Sequence, residues 1–168
     1  MRPTVLHSRW IFTDAIKTTG ETEWTKAGRY TGSTDLELTP GGVNQITTTA
    51  RHLVGPDKMV DPRHIVRYWV SPLKRAQQTF ELLFSEPNAL VPNGNNALPL
   101  QGMEGKVALT EAIAEWDYGD YEGLLAEDIR AKRRENGLDN EEAWNIWRDG
   151  CEGGECVTPL NTIFRRYK

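Results

Sequence analysis

The chain is short of cysteine and histidine, and each shortage narrows what it does. Two cysteines, Cys151 and Cys156, stand in the string CEGGEC, and the three histidines are His7, His52 and His64. No histidine lies near the cysteine pair, so a structural zinc site has nothing to complete it. Cysteine usage follows compartment, and the pair is expected as reduced thiols in a cytoplasmic protein. No apolar run approaches the ~20 residues of a spanning helix, which argues against a membrane partner. Nor is there an excess of positive charge. Twenty Lys and Arg face 24 Asp and Glu, for a net charge of -4, which argues against nucleic acid as the main partner. Internal repeats and low-complexity tracts are also absent. The N-terminal MRPTVLHSRWIFTDAIKTT has a short apolar patch, but Asp14 and the lack of an amphipathic stripe speak against a transit peptide.

What is present is a chain of 168 residues, enough to bury roughly 70% of its unfolded surface in one core. Thr39-Pro40 is a helix start, because threonine caps and proline at the first helical position loses no needed N–H. Val43, Ile46, Ala50 and Leu53 then recur at spacings of three and four, so the helix is expected to bury that face and stop before Gly55-Pro56. Residues 64–70 (HIVRYWV) are β-branched and aromatic and read as a buried strand. Ser71-Pro72 repeats the cap-then-proline signal and opens a helix to about Phe84, with Leu73, Ala76, Phe80 and Leu83 inward. Residues 85–105, rich in Pro, Asn and Gly, read as a surface loop. Val107 to Leu109 is a short strand, Leu124 to Glu135 a charged helix, and Glu141 to Arg148 a helix presenting Trp144 and Trp147. Strands alternating with helices give an α/β architecture with a largely parallel sheet. The ends fit less well. Trp10-Ile11-Phe12 is too short and interrupted for a central strand ahead of Gly20, and Val157 to Lys168 shows no period.

Two places carry chemistry by their own residues. At Ser71-Pro72 a strand runs into a helix, whose first turn offers unpaired N–H groups and a positive dipole end to an anion. Arg75 adds a forked, permanently charged donor that fits a phosphate. On the turn alone, an arginine that merely covers the helix stem explains Arg75 equally well. The second place is Glu115 in AEWDYGDYEG. A carboxyl beside Trp116 and Tyr118 in a partly apolar pocket favours its protonated form and suits a general acid, whereas a lone glutamate is ordinarily solvated surface.

The run GETEWTKAGRYTGSTDLELTPGG, residues 20–42, resembles the phosphate loop of the histidine phosphatase (phosphoglycerate mutase-like) superfamily. SPLKRAQQT resembles its second signature, and EWDYGDYEG its general-acid segment. Together with GLDNEEAWNIWRDGCEGGE, these strings look most like the fungal sedoheptulose bisphosphatase branch, over roughly residues 20–155. The resemblance implies a three-layer α/β/α fold, incomplete here, with residues 1–19 and 157–168 atypical beside a partial domain over 20–156. It implies metal-free, cofactor-free hydrolysis of a phosphorylated sugar through a phosphohistidine. Arg75 would grip the phosphoryl group, Glu115 would protonate the leaving oxygen, and Tyr30, Thr31 and Tyr118 would line the substrate side. A tyrosine and a threonine in a loop are equally often packing and turn chemistry.

The same resemblance exposes a departure. The superfamily introduces its phosphate loop with Arg-His-Gly, the histidine being the nucleophile. Here Thr18 and Thr19 precede Gly20, so Thr19 occupies the nucleophile's place. The family's second histidine comes from a later motif, and neither His7, His52 nor His64 has such a motif around it. Three readings follow: an active sugar bisphosphatase, a non-catalytic relative that binds phosphosugars or a partner, and an incomplete, inactive version of an enzyme. The last is the expectation.

Overall fold

Thr22 caps a single helical turn near the start of the phosphate-loop run. The computed structural model describes residues 19–84, 105–139 and 142–153. The readings of Trp10-Ile11-Phe12, of all but the last residue of the loop over 85–105, of Cys156 and of the tail from Val157 lie outside those residues. Thr22 Oγ1 accepts the Thr25 amide at 3.2 Å and Thr25 Oγ1 accepts the Thr22 amide at 2.8 Å, a reciprocal box that starts α1 (Glu23–Lys26). The loop that follows closes on itself. Leu38 bridges back to Thr22, and the Thr39 amide donates to the Glu21 carbonyl at 2.8 Å.

Thr39 then caps α2 (Pro40–Leu53) as its chemistry predicts, accepting the Gly42 amide at 3.0 Å with Pro40 in the first turn. Gly42 is required by close approach: a β-carbon there would overlap the Glu21 backbone. Ile46 is buried and Ala50 half-buried, but Val43 and Leu53 are exposed, so the apolar face is narrower than the periodicity predicts.

The expected seven-residue strand is shorter. Pro62–His64 forms a 3-10 turn, and only β1 (Tyr68–Val70) is extended into a ladder. It pairs in parallel with β2 (Val107–Leu109), Tyr68 opposite Val107 and Val70 opposite Leu109. The connection between them contains α3 (Lys74–Phe84), which packs on one face of the pair. Tyr68, Val70 and Phe80 are buried there, with the Tyr68 ring 5.2 Å from Phe80 and 4.8 Å from Phe84. Trp69, on the other face, is 58% exposed, because none of the described elements covers it. The expectation of a buried strand over residues 64–70 is corrected accordingly.

A second cluster gathers Tyr121, Ile129 and Trp144, with Tyr30, Tyr118 and Leu124 against it. Ile129 comes from α4 (Ala126–Glu135), which starts two residues later than expected. The helix expected over Glu141 to Arg148 is shorter among the described residues. Only α5 (Ile146–Asp149) is helical, because the Asn145 side chain caps Trp147 and sets the helix start there. Trp144 precedes it, buried, while Trp147 is 61% exposed. Cys151 is disulfide-bonded, against the expectation of a reduced thiol. That removes the cysteine argument for a cytoplasmic location.

Candidate functional site

The loop over residues 32–38 lies along α3, held at two helix positions one turn apart, Lys74 and Gln78. The Leu38 amide donates to Gln78 Oε1 at 2.8 Å. The Lys74 amide, at the helix start, donates to Asp35 Oδ1 at 2.7 Å. This corrects the turn chemistry read from Ser71-Pro72. The helix begins at Lys74, Ser71 Oγ reaches only the Leu73 amide at 3.4 Å, and the Lys74 N–H is capped by a loop carboxylate rather than open to an anion.

Arg75 is buried, 5% exposed, and its guanidinium reaches into the loop. Nη1 donates to the Thr34 carbonyl at 2.8 Å and Nη2 to the Gly32 carbonyl at 2.7 Å. Two of the five guanidinium N–H bonds are thereby used, and the fork still has donors for a phosphate. The same two loop residues turn their amides the other way. Gly32 N donates to Glu122 Oε1 at 2.9 Å and Oε2 at 3.0 Å, and Thr34 N to Glu122 Oε1 at 3.0 Å.

Glu122 lies in the segment that carries Glu115 and Tyr118, so this strap joins the arginine side of the site to the carboxylate side. Gly32 has no room for a side chain: a β-carbon would collide with the Trp116 carbonyl oxygen and lie 2.9 Å from Tyr118 Cδ2. Glu115 is half-buried, and its Oε1 accepts the Trp116 amide at 3.0 Å. The Tyr118 ring meets Tyr30 edge-on at 5.1 Å. Its phenol is held well above the usual tyrosine range, chiefly by burial and then by the negative charges of Glu115, Tyr30 and Glu122, against a smaller opposing pull from Arg75. Arg75, Glu115, Tyr30 and Tyr118 therefore share one neighbourhood.

Thr31 and Thr19 stand differently. Thr31 Oγ1 donates to the Arg29 carbonyl at 3.1 Å, the turn chemistry of a loop threonine. Thr19 is half-buried beside Gly20, whose amide donates to Thr79 Oγ1 at 3.1 Å; the Thr79 hydroxyl donates in turn to the Arg75 carbonyl at 2.6 Å. The loop start is thus pinned to α3 one turn beyond Arg75. His52 and His64 are exposed, and His64 Nδ1 faces Asp61 at 3.7 Å. Among the described residues no cluster of His, Cys, Asp and Glu is arranged to hold a metal, and no helix is long and apolar enough to cross a membrane. Sequence reasoning missed Glu122, Thr79 and Asp35. Glu122 lay inside a quoted motif, but its partners are 88 and 90 residues away in the chain.

A family model for the histidine phosphatase superfamily (branch 1) matches residues 19–161. The chain belongs to the histidine phosphatase superfamily. It is 42% identical over 147 residues to sedoheptulose 1,7-bisphosphatase of Saccharomyces cerevisiae, covering 88% of this chain and 51% of that protein. It is 34% identical over 142 residues to an acid phosphatase of Mycobacterium tuberculosis, covering 84% and 54%. The chain spans about half the length of these curated relatives. Among solved structures, the Rv3214 open reading frame of Mycobacterium tuberculosis superposes with a TM-score of 0.53 at 28% identity, covering 84% of this chain and 57% of that one. The alpha-ribazole phosphatase of Shigella flexneri superposes with a TM-score of 0.59 at 24% identity, covering 88% and 59%, a likeness of fold. The expected α/β histidine phosphatase fold, with parallel strand pairing, is the one observed.

Proposed function

We propose that this superfamily member binds the phosphate group of a phosphorylated sugar through Arg75 and, with Thr19 in the nucleophile's place, does not hydrolyse it. The observation that carries the reading is the pairing of an assembled Arg75–loop site with a residue 19 that is not histidine. A threonine hydroxyl is a weak nucleophile without an adjacent base, and both described histidines are exposed on other elements. A general acid at Glu115 contributes typically about 10²–10⁴-fold, which does not replace a missing nucleophile. The sugar class is supported by likeness to sedoheptulose 1,7-bisphosphatase.

Binding is expected to be weak. Arg75 and Glu115 nominally cancel where a phosphate of nearly two negative charges must sit. The test measures phosphate release from sedoheptulose bisphosphate, fructose bisphosphate and an aryl phosphate, alongside calorimetric binding of inorganic phosphate. Release at buffer level, with weak binding abolished by Arg75→Ala, is the expected result. Metal-free turnover that disappears in Glu115→Gln overturns it in favour of an active phosphatase. Binding that survives Arg75→Ala removes Arg75 from the site.

A further inference from the structure

We propose that Glu122 is a positioning residue for Arg75, acting through the Gly32–Thr34 strap. The proposal takes Arg75 as the phosphate-binding group, as read above. Glu122 touches neither Arg75 nor Thr19 by hydrogen bond; its carboxylate accepts the amides of Gly32 and Thr34 at 2.9 to 3.0 Å. Those residues present their carbonyls to Arg75 at 2.7 and 2.8 Å. A negative charge therefore sits on the N–H side of the strap and a positive charge on its carbonyl side, and each orients the backbone dipoles that the other uses.

Three features make the strap specific to this job. Gly32 is pressed against the Trp116 carbonyl and Tyr118, so the strap has one seat. Asp35, just beyond it, caps Lys74, next to Arg75 on the same helix. Gly32 is buried and Thr34 half-buried, so an amide left without its acceptor would not be fully compensated by water. Without the Glu122 carboxylate the strap loses its hold on the general-acid segment, and the two carbonyls that aim the guanidinium move with it.

The test reads Arg75 directly and needs no bound phosphate. Phenylglyoxal modification is followed at each arginine by peptide mass spectrometry in wild type, Glu122→Ala and Glu122→Gln. Arg133, 8% exposed and bonded to Asp139, Tyr121 and Glu152 rather than to the strap carbonyls, reports wider loosening. In wild type both arginines resist. In Glu122→Ala, Arg75 is expected to react roughly ten-fold faster or more, as the loss of charge-assisted bonds allows local opening, while Arg133 stays protected. Glu122→Gln keeps one acceptor oxygen and is expected to be intermediate; if the alanine variant does not fold, this variant decides. Arg75 resisting in the folded variants overturns the proposal, and so does a parallel gain at Arg75 and Arg133. Phosphate binding by wild type, measured separately, tests Arg75's role and fails independently of this outcome.

Discussion

Gly20 is tied to Thr79 by a buried hydrogen bond, its amide donating to Oγ1 at 3.1 Å across 59 residues of sequence. Thr79 also donates to the Arg75 carbonyl, so one hydroxyl fastens the start of the phosphate loop to the helix that carries the arginine. Thr79→Val keeps the shape and removes the acceptor. A buried amide left unpaired costs roughly 1–3 kcal/mol, and the urea midpoint is expected to fall accordingly. Thr79→Ser should restore most of it. A valine variant as stable as wild type would show that the Gly20 amide finds another partner.

Gly32→Ala is expected to be worse than an ordinary surface substitution. The added methyl has the Trp116 carbonyl, Tyr118 and the Glu122 carboxylate around it, and backbone atoms do not step aside as a flexible side chain does. Overpacking of this kind costs typically about 1–3 kcal/mol. The strap is expected to lose its seat, so faster hydrogen exchange at the Gly32 and Thr34 amides should accompany the fall in stability. Unchanged exchange would mean that the segment over Trp116 yields instead.

The buried ion pair between Arg133 and Asp139 lies under the second cluster. The two side chains are 9% and 7% exposed, and three N–O distances fall between 2.8 and 2.9 Å, with Tyr121 Oη accepting from Nη1 at 3.0 Å. Arg133→Met leaves a buried carboxylate without its partner, a change that costs roughly 3–5 kcal/mol. Asp139 has φ of +61°, a conformation that asparagine tolerates, so Asp139→Asn can be added without backbone strain. The double variant is expected to recover part of the loss in urea unfolding. Loss in the double variant equal to the sum of the singles would mean that the two side chains act independently.

The Tyr118 phenol gives a pH test of the shared neighbourhood. Its folded pKa is raised, by burial first and by Glu115 among the negative charges. An unfolded tyrosine titrates near 10. The folded state therefore holds this proton longer than the unfolded state does. The associated stability is fully present below about pH 10 and is lost as pH rises from there through the folded value. Absorbance at 295 nm should show this tyrosine, assigned by difference with Tyr118→Phe, titrating late. Glu115→Gln removes a negative charge and is expected to bring it earlier. No movement in Glu115→Gln would separate Glu115 from Tyr118 and from the site.

Much of this was legible where the chemistry is local. The Thr39-Pro40 start of α2 and the short strand over 107–109 each follow from residues a few places apart. The strand over 64–70 was over-read because a β-branched, aromatic run reports propensity and not whether a second layer covers it; Val66 and Trp69 are exposed. The N-cap of α3 was misassigned to Ser71 because the residue that caps Lys74 is Asp35, 39 positions earlier. Glu122 was equally invisible, since its partners become neighbours only when the loop closes.

The exposed face of the β1–β2 pair carries the last prediction. A two-stranded sheet with one covered face is marginal on its own, and this one presents Trp69 at 58% exposure on its uncovered face, while Val66 just before β1 and Leu109 at the end of β2 are also exposed. Apolar side chains beside unpaired strand edges form a template for association with another copy. The isolated chain is therefore expected to self-associate as its concentration rises, and to bind an apolar dye. Trp69 points away from Tyr68 and Val70, which supply the core contacts with Phe80. Trp69→Lys should thus reduce association without lowering the unfolding free energy by more than about 0.5 kcal/mol, the usual range for surface changes. Val70→Ala, on the buried face, is the contrasting variant and should lower stability while leaving the association surface in place. Sedimentation velocity of wild type and both variants distinguishes them. A monodisperse wild-type monomer with a cooperative thermal transition would show that this face is covered in solution.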